Sequence, residues 1–312
     1  MRIGIDIMGG DYAPEGIMLG SILAFKELTP DIRLVLIGNE DSIRAICQRE
    51  KIDPSGFEIV PTTEVIEMGD HPSKAFSQKP NSSITVGFNM LHKNEIDGFA
   101  SAGSTGAMLV GCMYTIKAIE GIMRPCIMSP LPQEHGGYSY ILDVGINSDC
   151  RPDVLYQYGI LGKIYAESVA GIKNPRVALL NIGSEEEKGN LITKATYELM
   201  KNTQDFNFIG NIEANEIFND KADVIIADGF TGNVMLKEAE AFYSLIKRRN
   251  RSDEFFDKFN FELYGGTPVL GINSTVMIGH GISGPVAIKN MILHTKDVIE
   301  AKVSQKIKEA LK

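Results

Sequence analysis

The sequence predicts an α/β protein with a mostly parallel, mixed sheet covered on both faces by helices. Three observations carry that prediction. Short apolar runs recur along the first half, at residues 2–8, 32–37, 57–60 and 97–102. Amphipathic stretches of helical periodicity separate them, as βαβ units require. Glycine and small polar turns stop the runs, as at Gly9-Gly10-Asp11 and Gly38-Asn39.

Residues 2–8 read as the first strand, and Pro14 opens a helix to about residue 28, because proline is tolerated in a first helical turn. Strand 32–37 leads to helix 40–51 and strand 57–60. Asn81-Ser82 caps a helix running to about Asn94. Strand 97–102 precedes Gly103-Ser104-Thr105-Gly106 and a helix from about Ala107. Residues 127–131 and 138–144 are extended around Gln133-Glu134-His135-Gly136-Gly137, the pattern of an antiparallel hairpin. Alternation resumes with helix 152–170, strand 176–182, helix 189–200, strands 207–210 and 223–227, and a helix after Thr231 to about Lys247. Residues 285–312 have helical periodicity and are expected to pack on the outside. Without repeats or linkers, one α/β domain over 1–312 is expected, with a hairpin excursion near 127–144 and a variable helical segment near 234–263.

Composition narrows the function. The chain has 312 residues, with 31 Lys+Arg against 40 Asp+Glu and a net charge of −9. That balance leaves no footprint for gripping duplex nucleic acid. No apolar run approaches the roughly 18 residues of a membrane span. Asp6 interrupts any signal-peptide core at the N-terminus. Cys47, Cys112, Cys126 and Cys150 show no metal spacing and read as reduced thiols of a cytoplasmic protein. His71, His92, His135 and His294 form no metal-like group, so neither a metal nor another cofactor is expected.

Four strand-end loops are built from glycine and small polar residues: Gly9-Gly10-Asp11, Ser101 to Gly106, Asn181 to Asn190, and Asp228 to Asn233. In a parallel α/β sheet such loops gather at the carboxyl edge, where ligands bind. Glycines let backbone N–H groups approach an anion, and the following helix adds its positive end. Gly9, Gly10, Gly103, Ser104, Thr105, Gly106, Thr231 and Gly232 are therefore candidate phosphate-binding residues. Walker A, GxGxxG, GxSxG and HExxH motifs are all missing.

These residues carry a resemblance. Arg2 to Pro14 (RIGIDIMGGDYAP) resembles the opening of the PlsX-type phosphate acyltransferases. So do Ser101 to Ala107 (SAGSTGA), Leu142 to Asn147 (LDVGIN), Leu180 to Asn190 (LNIGSEEEKGN), Asn207 to Ala214 (NFIGNIEA), Asp228 to Val234 (DGFTGNV) and Tyr264-Gly265-Gly266. The match is collinear to about residue 290, with Ser104 and Ser184 standing where asparagine and threonine are common. The resemblance implies transfer of a fatty acyl group from acyl carrier protein to inorganic phosphate, giving acyl phosphate for phospholipid synthesis. It implies a three-layer αβα sandwich similar to isopropylmalate dehydrogenases and phosphotransacetylases. It also implies a homodimer, cytoplasmic but peripherally associated with the membrane, where a glycerol-3-phosphate acyltransferase partner consumes the product.

Thioester phosphorolysis suits this residue set. Phosphate is already an anion, and a thiol with a free pKa of about 8.5 departs with little acid assistance. The protein must hold phosphate, offset its charge and stabilise a tetrahedral oxyanion. Lys188, beside a helix start where a cation is unfavourable without a nearby anion, is the first choice for charge neutralisation; a pair with Glu185 or Glu186 is the competing account. Asn190 and Asn233 could donate to phosphate or oxyanion or else cap helices. His280 in Gly279-His280-Gly281 could protonate the departing thiolate or bind phosphate, a purely structural role being the competing account. Asp11, Asp143, Asn147 and Asp228 are read as substrate-orienting, although Asp143 and Asn147 could instead cap the helix entered at Arg151-Pro152. Lys247, Arg248, Arg249 and Arg251 make a basic cluster suited to docking an acidic carrier or the membrane, or else to closing a helix C-terminus. Two other classes stay open: an NAD- and metal-dependent hydroxyacid dehydrogenase, and a non-catalytic acyl-carrier or lipid-binding protein.

Overall fold

A computed structural model of the protein describes residues 1–311. In chain order the strands are β1 (Arg2–Asp6), β2 (Arg33–Gly38), β3 (Glu58–Pro61), β4 (Gly98–Ser101), β5 (Cys126–Pro132), β6 (Tyr138–Leu142), β7 (Arg176–Leu180), β8 (Asn207–Ile212), β9 (Val224–Ile226), β10 (Gly266–Leu270) and β11 (Thr275–Gly279). The helices are α1 (Glu15–Glu27), α2 (Glu40–Arg49), α3 (Pro72–Gln78), α4 (Ser83–His92), α5 (Thr105–Val110), α6 (Pro152–Ser168), α7 (Leu191–Met200), α8 (Gly229–Arg248), α9 (Glu254–Asp257), α10 (Pro285–Glu300) and α11 (Val303–Ala310). The chain divides into two compact units.

The first unit comprises Met1–Ala118 and Phe261–Ser304. Its strands run in the order β3-β2-β1-β4-β11-β10, all parallel except β10, which pairs antiparallel with β11. Leu34, Val35, Leu36 and Ile37 of β2 are all fully buried, the signature of a strand covered on both faces. Successive residues of β4 show the covering layers. A Cβ on Gly98 would lie 2.7 Å from Ile299 and 3.2 Å from Thr295 of α10, whereas Phe99 stacks edge-on against Phe88 of α4 with centroids 5.3 Å apart. Ser82 caps α4 by accepting from the Thr85 amide, as the Asn81-Ser82 signal predicts.

Two features of this unit differ from the sequence expectation. The pair β10–β11 went unread because Pro268 sits inside β10, and proline argues against an interior strand. The C-terminal helices are not simply external: Ala287, Ile288, Met291 and Ile292 of α10 are fully buried. α10 lies so close to α1 that a Cβ on Gly20 would stand 2.6 Å from Cγ2 of Ile288. Ile288→Ala would cost about 2–5 kcal/mol by the usual core arithmetic.

The second unit comprises Ile119–Asn260 and the residues from Gln305. Its strand order is β5-β6-β9-β7-β8. β5 and β6 form the expected antiparallel hairpin, turned by Gly136 and Gly137 at positive φ, and the remaining pairs are parallel. α6 packs on β9 and β6 through Gly162, whose missing side chain makes room for Val224 and Leu142. Phe255 of α9 packs edge to face with Phe218 and Phe259, with centroids 5.3 to 6.1 Å apart within the trio.

Candidate active site

In the first unit, three strand-end loops meet around one buried carboxylate. Asp6, at the end of β1, is 1% exposed and accepts from the Ser101 hydroxyl at 2.7 Å and the Met8 amide at 3.0 Å. Burial pushes its pKa above the ordinary aspartate value, against hydrogen bonds from Ser83, Ser101, Met8 and Gly9 that pull it down. Ser101 passes the link on, because its hydroxyl oxygen accepts the Gly103 amide at 2.9 Å. The loop after β1 and the loop after β4 then touch backbone to backbone: a Cβ on Gly9 would fall 2.7 Å from the Gly103 nitrogen. Gly10, at φ +107°, needs the left-handed region that glycine tolerates. The Asp11 amide donates to the Gly281 carbonyl at 2.7 Å and so ties in the loop after β11.

This arrangement brings Gly9, Gly10, Asp11, Gly103, Ser104, Thr105, Gly106 and His280 into one unit. Ser104 is buried and caps α5, its hydroxyl 3.4 Å from the Ala107 amide. The first-turn amides of Thr105 and Gly106 have no intrahelical acceptor by the geometry of a helix start. Gly106 is glycine because Pro72 of α3 packs where its Cβ would be. Thr105 is exposed and His280 half-buried, the imidazole stacked at 4.9 Å on Phe261.

In the second unit the candidate polar side chains are mostly engaged locally. Asp143 is fully buried and accepts from the amides of Ile127 at 3.0 Å and Asn147 at 2.7 Å. The Asn147 side-chain nitrogen lies within 3.0 Å of Pro125 O, Asp143 Oδ2 and the Tyr158 hydroxyl. These two residues knot the loop after β6; the N-cap of α6 is Arg151, with no side-chain cap hydrogen bond, so neither of them caps it. Gly229 and Gly232 pack against this knot, where a Cβ on either would collide with Asp143. Asp228 caps α8 through the Thr231 amide and also accepts the Thr231 hydroxyl, both at 2.8 Å. Asn190 caps α7 through the amides of Ile192 and Thr193 at 2.9 Å. Asn233 Nδ2 is 3.4 Å from Val144 O.

Lys188 sits on the exposed loop before α7, with Nζ 4.0 Å from Glu185. That loop is pinned by an amide pair absent from the sequence-based site: Asn181 Nδ2 lies 3.1 Å from Asn211 Oδ1 and 3.2 Å from Lys188 O, and Asn211 donates to Glu185 O at 2.8 Å. The signal that could have found them, and Ser101, is a lone polar residue at the end of an apolar strand. Lys247, Arg248, Arg249 and Arg251 are all exposed around the end of α8, and Lys247 pairs with Asp257 at 2.7 Å. The four cysteines are free and buried, and burial pushes every one of their thiols up, which removes a ready thiolate nucleophile. Among the described residues, no group of three or more His, Cys, Asp or Glu could hold a metal ion, and no helix is long and apolar enough to cross a membrane.

A family model described as "Fatty acid synthesis protein" matches residues 1–306. The chain is 40% identical to the phosphate acyltransferase of Dictyoglomus thermophilum, covering 100% of this chain and 98% of that one. It is 39% identical to the phosphate acyltransferase of Desulfitobacterium hafniense (strain DSM 10664 / DCB-2), over 100% and 98% of the two chains. The chain belongs to the PlsX-type phosphate acyltransferase family. Fold likeness extends further. The EutD phosphotransacetylase from Staphylococcus aureus superposes with a TM-score of 0.64 at 16% identity, covering 96% of this chain and 94% of that one. A 4-hydroxythreonine-4-phosphate dehydrogenase from Klebsiella pneumoniae gives 0.59 at 13% identity, covering 96% and 98%. Phosphate acyltransferases of this family therefore share their mixed α/β architecture with both kinds of enzyme.

Proposed function

We propose that this phosphate acyltransferase moves a fatty acyl group from the thioester of acyl carrier protein to inorganic phosphate, feeding phospholipid synthesis. The observation that carries the reading is the backbone contact of Gly9 with Gly103 beside the first turn of α5. It brings bare glycine backbone of two loops beside helix amides, the setting in which an oxyanion is held. An oxygen of hydrogen phosphate attacks the thioester carbonyl carbon, forming a tetrahedral oxyanion. Collapse breaks the C–S bond, the thiolate leaves, and the proton that hydrogen phosphate carried balances the carrier thiol. Acyl phosphate is the other product.

Each residue has an assigned part in this reading. The Gly9-Gly10 turn and the amides of Thr105 and Gly106 hold phosphate, and Asp6, whose carboxylate abuts Gly9, fixes the turn. Lys188, on the loop before α7 of the second unit, carries the proposed charge-neutralising role, and His280 protonates the departing thiolate. Asp143, Asn147 and Asp228 act by shaping their loops. The protein works as a homodimer in the cytoplasm, docks acyl carrier protein through the Lys247–Arg251 cluster, and passes acyl phosphate to a membrane glycerol-3-phosphate acyltransferase. The test is direct: acyl carrier thioester plus phosphate should yield free carrier thiol and a hydroxylamine-trappable acyl phosphate in equal amounts. Purified protein that forms neither would end the proposal.

A further inference from the structure

Beside the Gly9-Gly10-Asp11 turn, the first unit contains a cavity of about 620 Å³, within the roughly 300–1,000 Å³ typical of small-molecule sites. Tyr12, Leu19, Ile282 and Pro285 supply its apolar walls. Tyr12 and Ile282 are 55% and 56% exposed, large apolar side chains left in solvent for no packing reason. Gly16 presents bare backbone to the cavity, and a Cβ there would crowd Tyr12 at 2.9 Å.

We infer that this cavity receives the acyl chain of the thioester donor, an assignment that rests on the transferase reading above. Two observations select this occupant. The first is continuity with the phosphate loops. Asp11 donates to the Gly281 carbonyl at 2.7 Å, and the next residue on each loop, Tyr12 and Ile282, lines the cavity. A chain lying there starts where the thioester carbonyl must meet phosphate. The second is charge. The ionisable side chains lining the cavity are the carboxylates Glu15 and Glu262, with Tyr12 the sole other titratable group and no Lys, Arg or His among them. Arg49 pairs with Glu15 from outside the lining, so the cavity itself offers no cation to phosphate or a phosphorylated prosthetic group and suits a neutral hydrocarbon.

The wall side chains then set chain-length preference, because each buried methylene is worth about fourfold in affinity. Leu19→Trp and Ile282→Trp, made separately, should each narrow the cavity. In either variant, kcat/KM for the palmitoyl carrier thioester should fall at least about tenfold, while the octanoyl thioester changes less than about twofold. The chain contains no tryptophan, so the indole introduced at position 19 is also a single reporter. Its emission should respond saturably to palmitoyl-pantetheine and not to pantetheine alone. Wild-type turnover with an unchanged length profile in both variants and a silent indole would overturn the cavity assignment while leaving the transferase reading intact. Equal losses at every chain length would overturn it too. A responsive indole in a protein without turnover would instead uphold the cavity and defeat the transferase reading.

Discussion

Gly9 and Gly103 stand so close that a methyl group on Gly9 would lie 2.7 Å from the Gly103 nitrogen and 2.8 Å from its Cα. The Asp6 carboxylate crowds the same position, and the two Gly103 atoms are backbone that cannot rotate away. Gly9→Ala should therefore push the two loops apart, at a cost of about 1–3 kcal/mol in stability. Acyl-phosphate formation should drop about a hundredfold, because misplacement by an ångström near the reacting atoms costs on that order. Gly69→Ala is the matched control, with nothing within 4 Å of the added Cβ, and thermal melting plus turnover compares the two.

Lys188 separates charge from structure. Its side chain is 45% exposed and its contact with Glu185 is a long 4.0 Å, a surface pair worth little to stability. Lys188→Ala should leave the melting temperature unchanged and lower kcat by about two to three orders of magnitude, the scale of losing one charge-stabilising group. Unchanged kcat would return Lys188 to the surface-pair account.

The basic cluster should act on encounter rather than chemistry. Arg248→Glu with Arg249→Glu should raise KM for the carrier about tenfold at low salt, with kcat preserved. The wild-type KM should rise with ionic strength and the variant's should not, since screening removes only what the charges supply. Lys247 is best left in place for this test, because it holds Asp257 at 2.7 Å and packs over the Tyr243 ring.

His294 gives the fold a pH dependence. Its Nδ1 lies 3.2 Å from the Gly266 carbonyl, and burial holds its pKa below the ordinary value of 6.5. The unfolded chain therefore takes up a proton at a pH where the folded protein does not. Stability from this site is intact above the unfolded pKa and lost as pH falls through the folded one. Melting temperature should decline as pH falls through and below about 6.5, with a slope contribution of at most about 1.4 kcal/mol per pH unit. His294→Gln should flatten that decline, and an unaltered pH profile would assign it to other groups.

Much of the architecture was legible because it is written in short-range signals. Ser82, Asn190 and Asp228 each accept amides within three residues, so their helix starts need no distant partner. The hairpin of β5 and β6 declares itself through Gly136-Gly137, whose positive φ values close the turn. The pair β10–β11 stayed hidden because pairing with β11 overrides what Pro268 says locally.

The sequence by itself determined the alternation of strands and helices up to α8, the glycine-rich loops that end the strands, and a collinear family likeness. Periodicity, caps and turns are decided within a few residues, so they survive in one dimension. Only the tertiary structure decided which polar residues are committed elsewhere. Asp6 reaches Ser101 across 95 positions, and Asn147 reaches Pro125 and Tyr158 across 22 and 11. Asp143 and Asn147 look in sequence like ligand-facing residues, yet their hydrogen bonds are made to each other and to Ile127, Pro125 and Tyr158. The cavity lined by Tyr12 and Ile282 likewise exists only because strand order sets two distant loops side by side. Burial and hydrogen-bond partnership are non-local, and they follow from the order in which the strands pair.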